Sequence, residues 1–133
     1  MENRVRLREL PPQVRGLLIE FRNMLVKTLQ QNLVGIYLFG SIVFPSYEPR
    51  SGDIDFYVVV KRVLKTREKN ELDNLHRALA RRFRFGRLLD GFFITLAKAR
   101  RSTLPRGLPY AANGHLHTGG SDIDWALHRE HFH

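Results

Sequence analysis

The chain has 133 residues, 43% apolar and 26% charged, the profile of one folded globular domain rather than a disordered or fibrous chain. It has no cysteine, which excludes a disulfide framework, a thiolate zinc site, an iron–sulfur cluster and a thiol nucleophile. Twenty-two basic against thirteen acidic residues give a net charge of +9, and 17 of the bases are arginines, whose guanidinium forks suit phosphate or carboxylate partners.

Pro11 and Pro12 open the first periodic segment, residues 12–31. Val14, Leu17, Leu18, Phe21, Met24, Leu25 and Leu29 recur at three and four, which predicts one buried stripe of a helix. The apolar run Val34 to Phe39 is too short for a helix and predicts a buried strand, stopped by Gly40-Ser41. Residues 45–52 have loop composition. Asp53 to Val60 predicts a second strand, apolar on both faces in its second half and therefore interior to its sheet.

Residues 66–84 predict a second helix, with Leu72, Leu75, Leu79 and Phe83 buried and Arg77, Arg81 and Arg84 on a flank. Leu88 to Leu96 predicts a third strand. The order helix, strand, strand, helix, strand gives an α/β (α+β) domain around a small mixed sheet. Residues 101–121, rich in Pro, Gly, Ser and Asn, read as a long surface loop, and 122–133 as an incomplete C-terminal helix. The expected organisation is one domain over 1–133 with its core at about 12–100. The chain stops inside that last helical pattern, which leaves open a truncated form or a helix packed on a partner. No apolar run approaches the roughly 20 residues that cross a bilayer, and Met1 to Arg6 lack the apolar segment of a signal peptide. A cytoplasmic protein is expected.

The chemistry concentrates in residues 34–60. Asp53 and Asp55 lie two apart, so on a strand both side chains project from one face. Adjacent carboxylates repel and are costly without a cation. Hard oxygen ligands at this spacing suit Mg²⁺, which takes one or two carboxylates and completes its shell with water and phosphate oxygens. Gly40 and Ser41 at a strand end offer a backbone N–H and a hydroxyl of the kind that grip a phosphate tail. Phosphate grip and magnesium clamp together point to a nucleoside triphosphate, although Asp-x-Asp also occurs as a turn or helix cap.

Gly35-Ile36-Tyr37-Leu38-Phe39-Gly40-Ser41, followed by Ser51-Gly52-Asp53-Ile54-Asp55-Phe56-Tyr57-Val58-Val59-Val60, resembles the nucleotidyltransferases of the DNA polymerase β superfamily. Within them it is most similar to the aminoglycoside adenylyltransferases of the streptomycin/spectinomycin type, over roughly residues 14–100. In that family Ser usually stands directly before Asp-x-Asp; here Gly52 separates Ser51 from Asp53. The resemblance implies the polymerase-β-type fold, Gly40, Ser41 and Ser51 on the nucleotide, and Mg²⁺ on Asp53 and Asp55. It also implies a third acid on the next long strand, where Asp90 stands as general base or as a further metal ligand. The implied reaction moves a nucleoside monophosphate, AMP from ATP, to a hydroxyl of a small molecule such as an aminoglycoside.

Alternatives stay open: a minimal transferase that modifies a helical partner protein, as in toxin–antitoxin pairs; a non-catalytic nucleotide-binding module; or an RNA-binding protein. A homodimer is also compatible with the short chain. The strong positive charge is unusual for binding a polycationic antibiotic. A second Asp-x-Asp, Asp122 and Asp124, reads as a helix cap. His115, His117, His128, His131 and His133 read as solvated, with a metal role as the lesser alternative. Arg77, Arg81, Arg82, Arg84, Arg100, Arg101 and Arg106 form either a solvated flank or a basic face for an acidic partner.

Overall fold

The computed structural model describes residues 10–39, 42, 52–101 and 107–118. Helix α1 spans Pro12–Leu29, strand β1 Leu33–Phe39 and strand β2 Ile54–Val60. Helix α2 spans Thr66–Arg82, strand β3 Leu89–Thr95 and the single-turn helix α3 Leu96–Ala99. Strands β4 (Tyr110–Ala112) and β5 (His115–His117) follow. One five-stranded sheet runs in the order β1-β2-β3-β4-β5. Among the described residues only β2 and β3 pair in parallel, as the long crossover through α2 allows; the other three pairings are antiparallel. The sheet is therefore mixed and β2 is interior, as expected.

Proline at the first position of α1 gives up an N–H that the first turn cannot use, and Pro11 accepts from the N–H groups of Val14 and Arg15. The stripe Val14, Leu17, Leu18, Phe21, Leu25 and Leu29 is buried. Met24 is only partly covered and packs at the edge of the core, as does Phe83. Both helices press on one sheet face, where Ile54, Phe56, Val58, Val60, Leu89, Phe93 and Ala111 meet them. Side chains alternate along a strand, so the opposite face carries Val59, Phe92 and Ile94, sealed by Leu108 and flanked by Tyr57, Leu96 and Tyr110.

Helix α2 is fixed at its start by a polar knot. Glu68 is 1% exposed. It accepts from the Lys65 backbone N–H at 2.8 Å, from Arg62 Nη1 at 2.8 Å and from Asn32 Nδ2 at 3.4 Å. Burial alone would raise its carboxyl pKa; these donors, the Arg62 guanidinium first among them, hold it below the ordinary value. Asn32 also accepts from the Arg62 N–H at 2.9 Å, so the knot ties the end of α1 to the end of β2.

The expected loop over 101–121 is corrected in its second half, where β4 and β5 form a hairpin. Its two-residue turn is Asn113-Gly114, both with positive φ (58° and 80°), the backbone that matches strand twist and that Asn-Gly accommodates. The free edge of β5 is covered by α2, since the Leu116 N–H donates to Asp73 Oδ1 at 2.9 Å. The expected C-terminal helix, with Asp122, Asp124, His128, His131 and His133, lies outside the described residues.

Candidate active site

Asp55 is the second residue of β2 and Asp90 the second residue of β3. In the parallel ladder they are direct register partners, and Phe39 of β1 is the partner of Asp55 on its other side. The three side chains therefore form one row across three strands, on the face away from α1 and α2. Asp55 is 8% exposed. Asp90 is half-buried, and Asp53 stands exposed just before β2. Of the six expected site residues the structure thus brings Asp55 and Asp90 together, with Asp53 two residues before Asp55 in the chain. Gly40, Ser41 and Ser51 lie outside the described residues.

Gly91, directly after Asp90, is the register partner of Phe56. A Cβ there would sit 2.0 Å from the Phe56 carbonyl oxygen and 2.7 Å from its ring. Only glycine lets β3 lie this close to β2, and that approach sets Asp90 beside Asp55.

The next row on the same face is aromatic. By register it runs Tyr37, Tyr57, Phe92, Tyr110 and His117 across all five strands. Tyr37 stacks on Tyr57 with ring centres 5.0 Å apart, Tyr57 on Phe92 at 5.9 Å, and Tyr110 on His117 at 4.7 Å, all within 16° of parallel. Burial, and then the neighbouring Tyr37, raise the Tyr57 hydroxyl pKa. The row begins two residues along the strands from the acids, about 7 Å away. Tyr37, on the edge strand β1, is 45% exposed, and its ring lies over Gly35, on the side away from Asp55. Sequence reading missed this row, because its members become neighbours only once the register is known.

Other sequence candidates separate. His115 and His117 are exposed on the outer strand β5. Arg77 pairs with Asp73 at 2.9 Å, Arg82 reaches Glu20 at 3.5 Å and lies over the Phe83 ring, and Arg84 lies over Phe85. Arg106 lies outside the described residues.

Among the described residues no group of three or more His, Asp or Glu side chains is arranged to hold a metal ion. A Mg²⁺ ion that also binds a triphosphate needs only one or two protein carboxylates. Asp55, buried at the start of β2, and Asp53, two residues before it, supply that number.

The described residues form a mixed five-stranded sheet with two helices on one face, the nucleotidyltransferase-type fold of the solved structure named next. Among solved structures the chain is similar to spectinomycin adenyltransferase AAD(9) from Enterococcus faecialis, with ATP and spectinomycin. The TM-score is 0.56 and the identity 21%, over 86% of this chain and 44% of that one. The likeness is one of fold, and this chain spans less than half of that protein's length. No family model and no curated protein matches the chain. Among the described residues no helix is long and apolar enough to cross a membrane.

Proposed function

We propose that the chain is a magnesium-dependent nucleotidyltransferase domain, cytoplasmic, that moves AMP from ATP to a hydroxyl of a small molecule. The observation that carries this reading is the register pairing of Asp55 with Asp90 on a nucleotidyltransferase fold. Asp53 and Asp55 would hold Mg²⁺, which, when bound, supplies positive charge against the triphosphate oxygens. Gly40, Ser41 and Ser51 would grip the phosphate tail. Asp90 would accept the proton of the acceptor hydroxyl as its oxygen bonds the α-phosphorus and pyrophosphate leaves. The structural neighbour's spectinomycin supports an aminoglycoside-like acceptor for this chain as well.

The test supplies ATP labelled on the α-phosphate, with Mg²⁺ and spectinomycin, streptomycin or co-purified protein as acceptor. The expected result is label on an acceptor, with pyrophosphate released in equal amount and both lost in Asp90→Asn. ATP bound with neither product formed would replace the transferase reading with a nucleotide-sensing module.

A further inference from the structure

A pocket of about 280 Å³ lies at the far end of the sheet from the acids. Val60, the last residue of β2, and Thr95, the last of β3, line it. Val60 stands five steps along β2 from Asp55, roughly 16 Å at the strand rise. The pocket is therefore distinct from the acid row.

Its chemistry is divided. Phe93, Leu64 and Leu108 give it an apolar wall, and Val63, 68% exposed, stands at its rim. Lys69 from α2 and Lys98 from α3 both line it, with Thr118 and with Thr95, whose hydroxyl accepts from the Lys98 backbone N–H. Both lysines are half-buried. Among the described residues no carboxylate lines the pocket, and neither lysine forms an ion pair. Two lysines and no carboxylate leave the positive charge at this apolar-walled pocket unbalanced among the described residues. A packing role favours an apolar residue at either position, so the pair calls for an anion.

We infer that this pocket is a second binding site, for a small phosphate monoester with a compact apolar body. The dianion meets both ammonium groups and the threonine hydroxyls through charge-assisted hydrogen bonds. The ester group lies on Phe93 and Leu108. The volume, below that of common drug-sized sites, limits the ligand to about a single ring or short chain.

The test titrates the full chain with phenyl phosphate, inorganic phosphate, benzoate and benzyl alcohol, read by amide shifts in ¹H–¹⁵N spectra. None of these probes carries a triphosphate, so the result is independent of the acids at the other end of the sheet. Phenyl phosphate is expected to give saturable shifts at Thr95, Lys98, Leu108 and Thr118 and to bind more tightly than the other three. Lys69→Met/Lys98→Met should weaken it about tenfold or more through loss of the charged donors. Methionine keeps each stem, the variant's own spectrum verifies its fold, and Lys98→Met alone serves if the pair does not fold. No saturable shift, shifts centred away from this pocket, equal binding by a folded variant, or benzoate binding as tightly as phenyl phosphate would each overturn the assignment.

Discussion

Asp55 and Asp90 are register partners on the parallel strands β2 and β3, so their carboxylates leave the same sheet face one strand apart. Like charges on adjacent strands repel, and the burial of Asp55, 8% exposed, adds to the cost. Stability and activity therefore pull these positions in opposite directions. Asp55→Asn should lower nucleotidyl transfer about 100-fold or more. It should leave the melting temperature unchanged or raise it, because it removes one of two repelling charges. Turnover and thermal melts of one preparation check both; a marked fall in Tm would make Asp55 a structural residue.

Gly91 tests how tightly the fold sets that pairing. In Gly91→Ala the new methyl meets the Phe56 carbonyl oxygen at 2.0 Å, a contact that backbone movement alone can relieve. The expected cost is about 3 kcal/mol in urea unfolding. The fraction still folded should have reduced transfer activity, since Asp90 moves with its neighbour.

His76 predicts an acid weakness. It is 1% exposed, packed among Phe21, Phe56 and Phe93, and among the described residues neither ring nitrogen has a hydrogen-bond partner. Burial pulls its pKa from 6.5 down to about 4, against an opposing pull from Asp73. The unfolded chain thus binds the extra proton between about pH 6.5 and 4. Stability is full above that window, falls as pH drops through it and levels off below. The loss is on the order of 3 kcal/mol. Unfolding free energies across this window should show that slope in the wild type and lack it in His76→Leu; equal slopes would contradict the buried neutral ring.

Glu68→Ala removes the centre of the knot that joins Asn32, Arg62 and Lys65. The Lys65 N–H and Asn32 Nδ2 lose an acceptor, while Arg62, 46% exposed, turns to water. A loss of about 2 kcal/mol follows, discounted for that exposed partner. Because the Glu68 pKa is lowered in the fold, its contribution is full above the ordinary carboxylate range. It disappears as pH falls through the lowered value. Denaturation of the variant at neutral and acid pH measures both effects.

Legibility in the sequence followed the range of the interactions. The stripes Val14 to Leu29 and Leu72 to Leu79 are local and declared both helices. The apolar run ending at Val60 declared an interior strand, and Asp-x-Asp at its start marked the acids. Asp90 was reached through the family pattern; its pairing with Asp55 depends on register, which strand sequences alone do not encode. The β4–β5 hairpin was missed although Asn113-Gly114 is a strong turn signal, because Pro and Gly around it gave the whole stretch a loop composition. His76 lies four residues after Leu72, on the buried stripe, and its polar ring hid that. The stacked row from Tyr37 to His117 joins five separate strands and has no local signature.

The central claim is a magnesium-dependent triphosphate site on Asp53 and Asp55. Calorimetry of ATP binding, with and without Mg²⁺, to the wild type and to Asp53→Asn/Asp55→Asn, tests it most directly. Binding that requires Mg²⁺ and disappears in the folded double variant is the predicted result. No binding by the folded wild type, or equal binding by the double variant, would contradict it.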